Sequence, residues 1–133
     1  MDNIIAIAGI IIVIGLVSIL LGSFLTFDQL IRLEYNSYRS QWENDGTPRG
    51  IFWLPCEYWR SQNIGWFSTW KSQYKSDWAM QKTHLRWLFS TPQWIKDDEQ
   101  AKKLLKRERV LVLIWNCTFL LTFISIMKIG TLR

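Results

Sequence analysis

Two uncharged stretches set the first limit on what this chain folds into. Ile4 to Phe27 and Val110 to Met127 contain no Asp, Glu, Lys or Arg. About 20 apolar residues in a helix cross the hydrocarbon core of a bilayer. The first stretch exceeds that length and the second lies near the short end of the range. Large soluble proteins bury such helices, but a chain of 133 residues has too little interior to hide two of them. Mean hydropathy is near zero only because a polar middle separates the two blocks. A cleaved signal peptide would start with positive charge and end at a small-residue cleavage site. Here Asp2 precedes the first block, which runs unbroken into a polar helical pattern. The expected fold class is therefore an all-α membrane protein: a two-helix transmembrane hairpin with long cytoplasmic helix extensions and a Trp-rich helical cytoplasmic domain. Its divisions are transmembrane helix 1 at 4–27, a basic, Trp-rich cytoplasmic domain at 28–109, and transmembrane helix 2 at 110–127.

Lys and Arg near membrane ends favour the cytoplasmic side. The middle of the chain offers Arg32, Arg39, Lys96, Lys102, Lys103, Lys106, Arg107 and Arg109, against Lys128 and Arg133 at the far end. The expected location is the cell (inner) membrane, with both termini outside and the 28–109 loop in the cytoplasm. The net charge of +5 mostly follows from this bias. Cys56 falls in the loop and Cys117 in the second span, so no intrachain disulfide is expected, and a cytoplasmic loop is reducing in any case.

The first helix is expected to continue past Phe27, because Ile31, Tyr35, Tyr38 and Trp42 recur on one face. Asn44-Asp45-Gly46 reads as its stop and Thr47-Pro48-Arg49-Gly50 as a turn. Thr91-Pro92 reads as the start of the second long helix. With Asp98–Lys102 and Glu99–Lys103 pairs supporting it, a single helix from Pro92 to Met127 is expected. Trp66 to Phe89 predicts a third helix. One broad face carries Trp66, Trp70, Tyr74, Trp78, Leu85 and Leu88; the opposite face carries Ser68, Ser72, Lys75, Lys82 and Arg86.

Eight of the nine tryptophans lie between Trp42 and Trp94. Trp and Tyr favour the membrane–water interface, where one end of the ring is apolar and the other meets water. Trp66, Trp70, Tyr74, Trp78, Lys75, Lys82 and Arg86 are therefore expected to meet headgroups or a protein partner. A domain core built of large rings uses the same residues equally well. Nucleic-acid stacking would draw on them too, but the membrane accounts for the basic charge more simply. Gln73, Asp77, Gln81 and His84 form a polar line along the same helix, read as a solvated groove or contacts within the domain in preference to a hydrogen-bonding site for a partner or lipid headgroup. A Cys56–His84 thiol site and a Glu57–Asp77 carboxylate pair carry almost no specificity. The sequence holds no phosphate-binding glycine loop, nucleophile motif or metal-ligand cluster, so no catalytic residue, cofactor or metal is expected.

Within the two blocks, small and hydroxylated residues set the expected helix contact. Gly15, Ser18 and Gly22 let another helix approach closely. If the chain leaves the membrane near Phe27 and returns near Val110, residues at equal depth have numbers summing to about 137. That register sets them against Trp115, Thr118, Thr122 and Ser125, with Ser18 close to Thr118. Asn116 then points away, marking a second membrane contact. The functional expectation is a small non-catalytic subunit, scaffold or accessory protein that organises a membrane-protein partner or another copy of itself. The competing classes are a membrane enzyme of lipid or thiol chemistry, using Cys56 or the Asp77–His84 line, and a small oligomeric channel or transporter subunit.

Overall fold

The computed structural model describes residues 2–56 and 66–131, and among them every regular element is helical. The elements are α1 (Asp2–Ser37), α2 (Arg39–Asn44), α3 (Trp66–Phe89), α4 (Gln93–Asp97) and α5 (Glu99–Thr131). The two long helices, α1 and α5, pack against each other, and both are long and apolar enough to cross a membrane.

Both long helices are interrupted where continuous helix was expected. The chain leaves α1 at Tyr38, whose φ of −130° and ψ of 49° are not helical. Tyr38 then donates its hydroxyl to Asp98 Oδ2 at 3.0 Å. The predicted single helix from Pro92 divides at Asp98, which is extended at φ −113° and ψ 115°. Asp98 Oδ1 accepts from the backbone N–H groups of Gln100 (2.8 Å) and Ala101 (2.9 Å). An Asp side chain offers these otherwise unpaired amides a partner and so starts a new helix. Lys102 accordingly pairs with Glu99, not with Asp98. The predicted stop after Asn44 is where α2 ends, and Gly46 follows at φ +88°, a conformation that suits glycine.

The core lies where the polar halves of α1 and α5 meet α3 and α4. Phe27, Leu30 and Ile31 of α1 pack with Trp87 of α3, Trp94 and Ile95 of α4, and Ala101 and Leu105 of α5. Trp87 sits between Phe27 (ring centroids 5.8 Å) and Trp94 (5.7 Å, edge to face). Rings of this size each remove a large apolar area from water. The Asp28 carboxylate accepts from the N–H groups of Ile51 (2.5 Å) and Phe52 (2.9 Å), which pins the 50–52 segment to α1. Gly50 allows that approach, since a Cβ there would lie 2.5 Å from Asp28 Oδ1.

Candidate functional site

Three elements converge on Glu108. Ser23 of α1 donates its hydroxyl to Glu108 Oε1 at 2.7 Å, and His84 Nε2 of α3 lies 2.9 Å from the same oxygen. The His84 ring also packs on Phe27 at 4.6 Å between centroids. Glu108 is 1% exposed, and its second oxygen has no hydrogen-bond partner. A charged-run residue thus occupies a core position, on the α5 face that also carries Ala101 and Leu105. Its neighbour Arg109 turns the other way. The guanidinium donates to the carbonyls of Trp87 (3.0 and 2.7 Å) and Ser90 (3.0 Å) and to Thr91 Oγ1 (3.1 Å). Carbonyls at a helix C-terminus have no partner within the helix, and the helix dipole favours a cation there. Glu108 and Arg109 together therefore fix the C-terminal end of α3 against the long helices.

That docking uses a narrow strip of α3. Ser76, Ala79, Thr83 and Trp87 are buried, while Tyr74 (68% exposed), Trp78 (64%), Leu85 (58%) and Phe89 (87%) point outward. The outward residues are spaced 4, 7 and 4 and form one row along the helix. Of the broad aromatic face read from the sequence, Tyr74, Trp78 and Leu85 therefore do not dock α3. Its core contacts are small residues together with Met80, His84 and Trp87, and the part of Trp87 was missed in the sequence reading. Elsewhere the ring-core reading fits, since Trp42 and Trp94 are buried as well. Of the basic residues assigned to the outer surface, Lys75 and Lys82 are exposed, and Arg86 pairs with Asp45. The side chains of Trp66 and Trp70 lie outside the described residues. So does Gln73 of the polar line, whose remaining members separate: Asp77 pairs with Arg49, His84 with Glu108, and Gln81 is exposed.

The contact between the apolar halves differs from the expected seam in rotation and in register. On α1 the covered positions are Leu16, Ile19, Leu20, Gly22, Ser23 and Phe24; the expected Gly22 is among them, whereas Gly15 and Ser18 are exposed. A Cβ at Gly15 would meet nothing within 4 Å, and one at Gly22 would meet Leu111 at 3.7 Å. Facing numbers therefore sum to 133 for Gly22 with Leu111 and to 131 for Ser23 with Glu108, between one and two helical turns from 137. The Ser23–Glu108 bond and the ring core set this register, and neither was visible to a depth argument. On α5, Trp115, Thr118 and Thr122 are half-buried and Ser125 is exposed. Ser18, Thr122 and Ser125 donate to carbonyls four residues back in their own helices, at 2.8 Å each. Asn116 is exposed and donates to Val112 O at 2.7 Å.

Cys56 and Cys117 are both free and exposed. Glu57, the proposed partner of Asp77, lies outside the described residues. Among the described residues, no group of His, Cys, Asp and Glu is placed to hold a metal ion. Comparison with known proteins returns no match to a family model, to a curated protein or to a solved structure.

Proposed function

We propose that the chain is a small two-pass membrane protein of the cell (inner) membrane, with both termini outside and residues 28–109 in the cytoplasm. In this reading it acts as a non-catalytic accessory subunit or scaffold, and α3 is the element it presents. The observation that carries the reading is the outward row of Tyr74, Trp78, Leu85 and Phe89 on a helix that is itself fastened at Glu108 and Arg109. An aromatic row held rigidly in place loses little further entropy when another surface covers it, and Trp and Tyr are enriched at the centres of protein interfaces. The membrane placement draws on the exposure of large apolar side chains along both long helices outside their mutual contact, from Ile7 to Leu25 and from Val110 to Met127. Such a surface suits lipid and does not suit water. The orientation draws on the Lys and Arg of the middle segment.

The test is purification of the full chain in mild detergent, with the bound proteins weighed against it. A membrane-protein partner held at fixed stoichiometry, and released by Trp78→Ser with Phe89→Ser, supports the reading. A partner retained in that variant removes α3 as the docking element. Quenching of Trp78 by brominated lipid, with no partner bound, assigns the row to the headgroup layer instead.

A further inference from the structure

A second surface lies on the other side of Arg109. Thr91 and Ile95 face the first turns of α5 across a cleft of about 330 Å³, a volume at the small end of ligand sites. Lys102, Lys106 and Arg109 line it, each about one turn of α5 from the next. Ile95 and Leu105, both buried core residues, form its floor. Beyond Arg109 the lining becomes apolar at Val110 and at Leu113, which is 64% exposed. Charge therefore falls away along the cleft in the direction in which the uncharged run of α5 begins.

We propose that this cleft binds an anionic phospholipid, with its phosphate against Lys102 and Lys106 and the upper part of an acyl chain along Val110 and Leu113. The inference rests on the membrane placement proposed above. Charge complementarity carries it: the cations stand together at one end, the apolar residues at the other, and only an amphiphile matches both. Among the described residues no acid pairs with Lys106, whereas Lys102 shares Glu99. Arg109 spends its Nε and one terminal nitrogen on carbonyls of the 87–90 segment and on Thr91. It thus contributes charge to the wall while its position stays fixed. Because Arg109 also ties down the C-terminal end of α3, an occupied cleft places a lipid headgroup directly beside the docked aromatic helix.

The experiment is native mass spectrometry of the full chain in mild detergent, titrated with phosphatidylglycerol or with phosphatidylcholine. Juxtamembrane cations are each worth about fivefold in affinity for anionic lipid. Lys102→Gln with Lys106→Gln is expected to lower phosphatidylglycerol retention about tenfold, allowing for the share of Lys102 charge held by Glu99. Lys103→Gln with Arg107→Gln removes the same charge from exposed positions of α5 outside the cleft and is expected to lower retention far less. Equal retention of both lipids by the natural chain overturns the proposal, as does equal loss in the two double variants. Displacement of phosphatidylglycerol by inorganic phosphate would make the free anion the ligand and overturn the lipid assignment. Carbonate extraction of cell membranes separates the two readings. A chain released by carbonate fails the membrane placement itself, whereas a retained chain without lipid preference fails this proposal alone.

Discussion

The two halves of α1 obey opposite rules. From Ile7 to Leu21 nearly every large apolar side chain is exposed, and the covered strip is Leu16, Ile19 and Leu20. From Ser23 to Glu34 the same helix buries Phe27, Leu30 and Ile31, together with Ser23, Thr26, Asp28 and Glu34. One half therefore turns its apolar surface outward, and the other takes polar groups inward. A single solvent cannot favour both. Water rewards the second pattern, through ring burial and through the hydrogen bonds of Ser23, Thr26 and Asp28. The first pattern costs nothing only where the surroundings are themselves apolar. Helix α5 repeats the contrast: Ala101, Leu105 and Glu108 are buried, while Leu113, Leu120 and Leu121 are exposed. On this contrast, stability is concentrated in the polar half, and the apolar halves contribute placement more than cohesion.

Substitutions at matched positions sharpen or break that contrast, and the expected effects fall in order. Trp87→Ala empties the centre of the ring core and is expected to cost about 4 kcal/mol, read as a lower midpoint of unfolding in detergent. Ile11→Ala, on the exposed surface of α1, is expected to stay within about 0.5 kcal/mol. Comparable losses at both sites would break the contrast. Glu108→Ala leaves His84 and Ser23 without their shared acceptor and is expected to cost about 2 kcal/mol; Glu108→Gln keeps an oxygen for Ser23 and costs less. The imidazole shift of His84 on removal of Glu108, followed by NMR, checks that the pair is the cause. Asp98→Ala removes the cap of α5, an expected loss of about 1 kcal/mol. The Ala101 amide, followed by the Tyr38 hydroxyl and the Gln100 amide, holds the Asp98 carboxyl below its ordinary range. Its folded-state value is the lower one, so its contribution is present above the ordinary carboxylate range. It is lost as pH falls through the depressed value. A stability profile in acid should therefore be flatter for Asp98→Ala than for the natural chain. The smallest effect is expected at Gly15. Gly15→Leu enters open space and should shift stability by no more than about 0.5 kcal/mol. A large loss there would restore the glycine seam and its register.

Sequence reading reached furthest where a local pattern is sufficient. The uncharged blocks give the two long apolar helices, α3 ends at Phe89 as expected, and α2 ends just before Asp45-Gly46. It failed where a residue's role depends on a distant partner. Glu108 lies within Lys106-Arg107-Glu108-Arg109, a run that reads as solvated. Its burial requires His84 and Ser23 from two other helices. The spacing of Ala101, Leu105 and Glu108, four and then three, was the available signal, because it places the carboxylate on the core stripe. Phe27, Leu30, Ile31 and Glu34 give the same signal on α1, and Glu34 is fully buried beside Asp45, Arg86 and Trp94. The breaks at Tyr38 and Asp98 were hidden for a related reason. Each residue is acceptable in a helix; the cap that Asp98 gives Gln100 and Ala101 and its hydrogen bond with Tyr38 across 60 positions together mark where the helices yield.

The place of Arg109 in the chain has a consequence for the order of assembly. The ribosome makes α3 before it makes the two residues that hold α3 in place. Until position 109 has been added, the carbonyls of Trp87 and Ser90 lack their guanidinium, and His84 lacks the carboxylate of Glu108. A nascent chain ending at α4 therefore carries an aromatic helix whose C-terminal end has only the Arg86–Asp45 pair and the ring contacts of His84 and Trp87 to hold it. The fastening residues arrive immediately ahead of Val110, the first residue of the second uncharged run. Closure of the middle segment and delivery of the second apolar helix thus belong to one moment of synthesis, and a ribosome halted before Glu108 leaves both undone.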